Sequence, residues 1–149
     1  MAPTAAASRY HRRVTRGRVL LGAIVVALAA CVPLAVAMQS KTPVKVTEKE
    51  FKVTPLPKTG KPGVVAFTVR NAGKLAHDFV VLKTNRAPGK LPVKNNKAVL
   101  LGTVKGTIAK FGPGKTKSLI LKLPAGKYVL LCNVKGHYQF GMYAGFKVG

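Results

Sequence analysis

Acidic residues are almost absent from this chain of 149 residues. Asp and Glu together number 3, against 26 Lys and Arg, so the formal net charge is +23 at pH 7. An excess of this size attracts anionic partners or surfaces over long range. The sequence shows no recognition-helix pattern, RNP-like aromatic motif or zinc-finger spacing, and its lysines stand singly along alternating segments. We therefore predict solvated strand faces and no nucleic-acid binding.

Cysteine, histidine and methionine are also scarce. The chain has 2 Cys, 3 His and 3 Met. Half of these side chains lie in the first 38 residues, whose composition sets them apart from the rest. The others are His77, Cys132, His137 and Met142. A lone Cys132 in that part of the chain has no partner for an intramolecular disulfide, so its thiol needs another explanation.

The segment from Cys132 to Met142 supplies that explanation. It reads CNVKGHYQFGM and spaces a thiol, an imidazole and a thioether as C-x4-H-x4-M. Copper in electron-transfer sites is held by one Cys sulfur and two His nitrogens, with a weak axial Met. Taken singly, each residue has an ordinary structural role, but together they complete this ligand set once His77 is added. We therefore predict one copper ion bound by His77, Cys132, His137 and Met142.

The N-terminus has the composition of an export signal. Residues 1–18 carry five Arg and no acid, and an apolar run follows from Val19 to Met38. Three outcomes stay open: cleavage after the A-x-A site at 35–37, lipidation of Cys31 within a lipobox-like LAAC, or retention as a membrane anchor. Twenty apolar residues are long enough to span a bilayer at about 1.5 Å per residue. Since the residues after Cys31 stay apolar, we favour cleavage or retention over lipidation.

These features predict one folded domain outside the cytoplasm. We assign residues 1–37 to a signal peptide or N-terminal membrane anchor, 38–43 to a linker and 44–149 to the domain. The expected location is periplasmic, cell-envelope or extracellular. Removal of residues 1–37 would take away five arginines and lower the net charge to +18.

The domain shows no helical periodicity. Short apolar alternations recur between Gly, Pro and Asn, and residues 84–96 have the composition of a loop. This pattern predicts an all-β fold, an antiparallel Greek-key sandwich or barrel. We expect strands at 44–53, 63–69, 79–83, 98–104, 107–111, 116–123, 127–132 and 143–148. The expected core contains Val65, Phe67, Val69, Phe79, Val81, Leu119, Leu121, Val129 and Leu131.

One tyrosine has a predicted structural role. The LPAGKY segment at 123–128 resembles a tyrosine corner, in which the hydroxyl group binds backbone upstream in the chain. We therefore expect Tyr128 to stabilise the fold and not to take part in function.

The chain resembles the cupredoxins, the small blue-copper proteins, over about residues 43–149. The resemblance is carried by NAGKLAHDF at 71–79, by the Pro-Gly at 113–114, by GKY at 126–128 and by the loop from Cys132 to Met142. The spacing of that loop is similar to auracyanin- and rusticyanin-like members. The resemblance implies a β-sandwich with a mononuclear type 1 copper, and electron exchange through the edge of His137.

The resemblance also implies roles around the ligands. Asn133 would shape the ligand loop, as would Gly136, and Tyr138 and Phe140 (with Tyr143) would form an apolar collar around His137. Asp78 departs from the family pattern, since plastocyanin and azurin have Asn after the first His. Its carboxylate can accept hydrogen bonds from the loop, and its negative charge favours Cu(II).

Our first functional hypothesis is a monomeric one-electron carrier that docks to acidic redox partner proteins, with association to anionic membrane or cell envelope as a further expectation. The alternative is an extracytoplasmic copper-delivery protein that uses the same site. An enzyme is not predicted, because a catalytic copper needs a second set of His ligands and the domain has only two His.

Overall fold

Two stacked β-sheets make up the part of the chain that the computed structural model describes, residues 41–149. Most of the alternating apolar segments form strands because one face is buried and the other lies in water. The strands are β1 Thr42–Lys49, β2 Lys52–Leu56, β3 Thr59–Gly60, β4 Gly63–Asn71, β5 His77–Lys83, β6 Val93–Lys94, β7 Lys97–Ala98, β8 Thr103–Phe111, β9 Thr116–Leu123, β10 Gly126–Leu131 and β11 Tyr143–Val148.

The sheet topology confirms the predicted sandwich. One sheet has the order β2-β1-β4-β9, the other has the order β3-β11-β10-β5-β8, and β6 and β7 form a small hairpin. The sequence predicted antiparallel pairing, but two strand pairs, β1–β4 and β3–β11, are parallel. Parallel neighbours need a crossover connection. Here β2 and β3 provide it, since the chain passes from the first sheet to the second between them and returns at β4.

Some predicted elements fall outside the described residues. These are the signal peptide or anchor at 1–37, including Cys31, and the first part of the linker at 38–43. The first strand, β1, begins at Thr42, within the segment 38–43 that we assigned to the linker. Among residues 41–149, no helix has the length and apolar character needed to cross a membrane.

Two strand boundaries differ from the prediction. The segment 44–53 divides into β1 and β2 at Glu50-Phe51, a turn that contains no Gly, Pro or Asn to mark it. Conversely, the two strands expected at 98–104 and 107–111 are largely one strand, β8, which runs through Gly106. A Cβ at Gly106 would lie 2.7 Å from Leu121 Cδ2. That glycine marks a close approach of the two sheets and not a turn.

The hydrophobic residues form two clusters. Of the expected core residues, five from β4 and β5 are fully buried between the sheets, while Leu119 and Leu121 are partly buried there. Val129 and Leu131 instead belong to a second cluster on the outer face of the five-stranded sheet. Its members are Val80, Leu82, Leu91, Ala98, Val129, Leu131 and Tyr138.

The predicted tyrosine corner is present. The Tyr128 hydroxyl donates a hydrogen bond of 2.6 Å to the carbonyl oxygen of Pro124, and the ring is buried. This bond fixes the connection between β9 and β10, which sets the direction in which β10 runs towards Cys132.

The sandwich has two distinct ends. At the first, which we call the ligand end, β4 ends, β5 begins with His77, and β10 leads into Cys132. At the second, the entry end, β1 begins, β5 ends and β10 begins. Strand registers place His77 opposite Phe111 and Leu131 opposite Tyr143, so these residues share the ligand end.

Glu48 is an unexpected member of the main core. It takes the third core-facing position of β1, after Val44 and Val46, and is 0% exposed. Neither carboxylate oxygen has a hydrogen-bond partner among the described residues. Burial, and to a smaller extent the negative charge of Asp78, raises the pKa of Glu48 to about 8. Glu48 is therefore protonated at neutral pH.

Replacing Glu48 with Gln should remove a loss of stability that develops as the pH rises from about 4.5 to about 8. An unfolded Glu releases its proton near pH 4.5, and the folded one only near about pH 8. Between these values the folded state binds more protons, so its free energy of unfolding falls as the pH rises. The full effect is on the order of 5 kcal/mol, from the pKa difference and the linkage of pKa to stability.

Urea denaturation across this pH range tests the prediction. The difference in stability between Glu48→Gln and the unmodified chain should shift in favour of the variant as the pH rises. Glu50→Gln is the matched control. Backbone N–H groups hold the pKa of Glu50 below its usual value, so its contribution changes only in the acid range. A difference that stays constant with pH would contradict the account of Glu48.

Candidate metal centre

Three potential metal ligands converge at the ligand end. His77 Nδ1 lies 3.2 Å from His137 Nδ1, and Cys132 Sγ lies 3.4 Å from His137 Nδ1 and 3.9 Å from His77 Nδ1. All three side chains are buried. Strand β5 supplies His77, and the loop that follows β10 supplies Cys132 and His137. The predicted grouping of these residues is therefore present in the fold.

The triangle of donor atoms has the size of a metal site. Metal–nitrogen distances of about 2.0 Å and metal–sulfur distances of about 2.3 Å give ligand separations of roughly 3.3–3.8 Å for tetrahedral or trigonal geometry. The observed separations of 3.2–3.9 Å bracket this range. Two imidazoles and one thiol are also the donor set expected for a blue-copper site. The residues present thus fit a copper ion.

Met142 lies next to these ligands along the backbone. Its carbonyl oxygen accepts a 3.0 Å hydrogen bond from the N–H of Cys132, and its own N–H donates a 3.1 Å bond to the carbonyl oxygen of His137. The side chain is 0% exposed and belongs to the main core. These bonds close the ligand loop. An axial role for the Met142 thioether stays a prediction.

The ligand loop is tightened by its own turns. The N–H of His137 binds the carbonyl oxygen of Val134, and the N–H of Phe140 binds that of Gly136. Gly136 has φ of 83° and also donates to the carbonyl oxygen of Asn96. This left-handed conformation favours glycine. The predicted loop-shaping role of Gly136 therefore has a clear basis in the backbone.

Asp78 and Asn133 attach the loop to its surroundings. An Asp78 carboxylate oxygen accepts a 2.5 Å hydrogen bond from the N–H of Asn133. The Asn133 side chain forms two bonds with the backbone of Ala98, accepting at 2.8 Å and donating at 3.2 Å. The carboxylate thus makes the loop hydrogen bond that we expected of it. These bonds fix the position of Asn133, the residue that directly follows Cys132.

The sequence reasoning did not single out Glu50 as part of the site. Its Oε1 lies 3.2 Å from Nε2 of His77 and accepts hydrogen bonds from the N–H groups of Lys74 and Leu75. The contact with Nε2 is not an aligned hydrogen bond. A carboxylate behind a ligating imidazole orients the ring. The signal that could have found Glu50 is its position as one of only three acids in the chain.

Asn71 holds the segment that leads into His77. Its side-chain amide donates to the carbonyl oxygens of Leu75 and Phe111, and its Oδ1 accepts from the N–H of Gly73. The residue is fully buried. These three bonds fix the short connection between β4 and β5, and therefore the position at which β5 begins.

Burial keeps the candidate ligands uncharged when no metal is bound. It raises the pKa of the Cys132 thiol to about 12. It also lowers the pKa values of His77 and His137, and in His77 the neighbouring His137 adds to the effect. Both imidazoles therefore offer lone pairs at neutral pH, whereas the thiol must lose its proton when it binds a metal.

The surroundings of His137 differ from the predicted collar. Phe140 is 68% exposed, and Phe51 packs between it and His137, with ring centroids 5.0 Å from Phe140 and 5.4 Å from His137. Tyr138 is buried in the second cluster, packs against the tilted ring of Tyr143 and accepts a hydrogen bond from the Leu91 N–H. Phe51, in the unmarked turn between β1 and β2, takes the position expected for Tyr138.

Residues 60–149 match the family model of the sulfocyanin (SoxE) domain. A search of curated proteins found no match. Solved structures with a similar fold include dithionite-reduced auracyanin from Roseiflexus castenholzii, which is 20% identical, with 74% of this chain and 98% of that chain covered and a TM-score of 0.54.

Two further structures are similar to the chain. For auracyanin A from Chloroflexus aurantiacus, a blue copper protein, the identity is 16%, the coverage is 74% of this chain and 100% of that one, and the TM-score is 0.55. For rusticyanin from Thiobacillus ferrooxidans, the identity is 19%, the coverage is 73% of this chain and 77% of that one, and the TM-score is 0.53. At these identities the similarity establishes the fold.

We expect Asp78→Asn to raise the midpoint potential of a bound copper. The variant removes a negative charge that favours the more highly charged metal. The Asn carbonyl oxygen can still accept the bond from the Asn133 N–H, so loop geometry is retained. Redox titration of the copper-loaded proteins measures the shift. Asp78→Ala, which loses charge and bond together, separates the two effects, and an unchanged or lower potential in Asp78→Asn would count against the charge argument.

Proposed function

The chain belongs to the sulfocyanin (SoxE) domain family of blue-copper cupredoxins, and on that premise we propose that it is a one-electron carrier that works outside the cytoplasm. Homologous cupredoxins bind one copper ion and carry electrons. The observation that supports the proposal most directly is the buried triangle of two Nδ1 atoms and one sulfur. Bound copper would supply the chemistry by cycling between Cu(I) and Cu(II).

The proposed ligands are Nδ1 of His77, Nδ1 of His137 and Sγ of Cys132, with Met142 as the axial ligand. Strand β5 and the hydrogen-bonded loop after β10 hold these groups from two directions. Because both supports are part of the sandwich, the donor atoms would keep nearly the same positions in the two oxidation states. Burial of His77, Cys132 and Met142, each 0% exposed, would exclude water from the site.

Electrons would pass through the edge of His137. It is the one proposed ligand with measurable exposure, at 7%. Phe51 and Phe140 lie beside it and give that part of the ligand end an apolar surface. Such a surface lets a partner approach closely and expel water, which shortens the transfer distance.

Lysines beside the ligand loop indicate what kind of protein could dock there. Lys97, Lys110 and Lys135 line a cleft beside the ligand loop together with Asp78 and Val134. We propose that this surface steers the chain to acidic faces of redox partner proteins. The location outside the cytoplasm is supported by the export-type sequence at residues 1–37.

Copper delivery is the alternative function with the same ligands. Complete burial of three of the four proposed ligands favours retention of the metal over ready exchange. Mixing the Cu(I)-loaded chain with a Cu(I)-binding acceptor distinguishes the two functions. A carrier of electrons should keep its copper through many redox cycles, whereas a delivery protein should lose it to the acceptor.

The test of the proposed function is the visible spectrum of the purified chain loaded with Cu(II). We expect an intense blue band, which ascorbate bleaches and reoxidation restores, because a Cys132 thiolate bound to Cu(II) absorbs strongly. Cys132→Ser should abolish the band. Ile120→Ser, at an exposed position outside the proposed site, is the control and should leave the band intact. A colourless copper-loaded protein would refute the ligand assignment.

We expect Phe140→Ser to slow electron transfer without changing the spectrum. The substitution removes apolar contact area next to His137 but touches no proposed ligand. Stopped-flow measurement of reduction by an acidic cupredoxin or cytochrome partner gives the rate. Ile120→Ser, at an exposed apolar position on β9, is the control and should transfer electrons at the original rate.

Salt provides the second readout of docking. The rate for the unmodified chain should fall steeply with ionic strength, since screening weakens the attraction between the lysines and an acidic partner. Salt-insensitive rates, or equal slowing by both serine variants, would contradict the proposed docking surface.

A further inference from the structure

Charge is distributed unevenly between the two ends of the sandwich. The three acidic residues of the chain are Glu48, Glu50 and Asp78. Glu48 lies near the end of β1, Glu50 contacts His77, and Asp78 follows His77. All three are therefore at the ligand end. The entry end carries Lys and Arg with no acid to neutralise them.

These cations line a cleft near the entry end. The cleft has a volume of about 400 Å³ and lies where β10 begins and β11 ends. Its lining includes four exposed basic residues, Lys58, Arg86, Lys127 and Lys147. Gly145, which has no side chain, also lines it. Four positive charges face one cavity of this size without a counter-charge from the described residues.

The strand register places two of these positive charges directly opposite each other, and a bound anion would reduce their repulsion. Lys127 on β10 lies directly opposite Lys147 on β11. Like charges at directly opposed positions of neighbouring strands repel each other. An anionic group bound in the cleft would relieve this repulsion.

The first described residues of the chain also lie at the entry end. Lys41 and Lys61 line a second cleft with Gly60. A Cβ at Gly60 would lie 3.4 Å from Thr42 Cγ2 and 3.2 Å from Cζ of Phe146, a lining residue of the first cleft. The two basic clefts are therefore neighbours. The chain enters here only three residues after the apolar run 19–38.

We propose that the entry end docks onto anionic phospholipid headgroups, with lipid phosphate bound between Lys58, Arg86, Lys127 and Lys147. The negative surface potential of anionic membranes acts only within about a Debye length, so the acid-free end gains most from close approach. Docking in this direction leaves His137 and its apolar surface at the far end of the sandwich, accessible to a redox partner. The proposal goes beyond electron transfer itself, since it concerns orientation.

Paramagnetic relaxation measured by NMR tests this orientation. The full chain, loaded with diamagnetic Cu(I), is studied in nanodiscs of phosphatidylcholine with and without phosphatidylglycerol, and a small fraction of the lipid carries a Gd³⁺-chelating headgroup. With phosphatidylglycerol, amides of Lys58, Arg86 and Lys147 should relax several-fold faster than those of Gly136 and Phe140. The ratio should approach one in high salt or in phosphatidylcholine alone.

Matched triple variants identify the charges responsible. Lys58→Gln, Arg86→Gln and Lys147→Gln together should weaken docking on the order of 100-fold, at about fivefold per removed cation near an anionic surface. The relaxation ratio should then approach one. The control combines Lys49→Gln, Lys115→Gln and Lys117→Gln, which removes the same charge from exposed positions nearer the ligand end. The control should keep the ratio of the unmodified chain.

Four results would overturn the proposal. Stronger relaxation at the ligand end would show that the wrong face docks. An asymmetry that persists in phosphatidylcholine and in salt would show that chain entry alone orients the domain. An equal loss of the relaxation ratio in both triple variants would show that net charge, and not the position of these cations, causes docking. Finally, absence of any lipid effect, with chemical-shift changes at Lys58 and Lys147 caused by an acidic peptide, would assign the cleft to a protein partner. In every case the blue spectrum of the Cu(II) form tests the proposed copper site separately.

Discussion

The structure depends on the convergence of two neutral imidazoles and one thiol in a space closed to water. Nδ1 of His77, Nδ1 of His137 and Sγ of Cys132 lie 3.2–3.9 Å apart. The surrounding hydrogen bonds maintain this close approach of the three groups. Asn71 fixes the start of β5, Asp78 holds the peptide after Cys132, and backbone bonds close the loop. The fold therefore fixes the positions of the three proposed ligand side chains.

Sequence reasoning succeeded where a pattern had one physical meaning. Alternation predicted most strands, and the scarcity of His, Cys and Met isolated the proposed ligands. It failed where contacts between distant segments decide the outcome. No turn residue marks Glu50-Phe51, so neither the turn nor the contacts of Glu50 with His77 and of Phe51 with His137 could be foreseen. Glu48 lies at an alternating core position, but nothing in the sequence shows that its carboxyl group is buried without a partner.

Burial also decided which aromatic residue lies beside His137. Tyr138 follows His137 in the chain, which favoured it as a surface residue of the site. The chain turns there, and the second hydrophobic cluster, formed under residues 84–101, takes up the ring instead. That cluster depends on a loop with little sequence signal of its own. The acid-free entry end is similarly visible only in the fold, because its lysines come from separate strands and loops.

The most direct test of the account is X-ray absorption fine structure of the copper-loaded protein in both oxidation states. The account predicts one short copper–sulfur bond, no longer than the roughly 2.3 Å of zinc thiolates, and two nitrogens at about 2.0 Å, with the same ligand set after reduction. A first shell without a short sulfur, or one that exchanges ligands on reduction, would contradict the claim that the fold presets a thiolate–imidazole site.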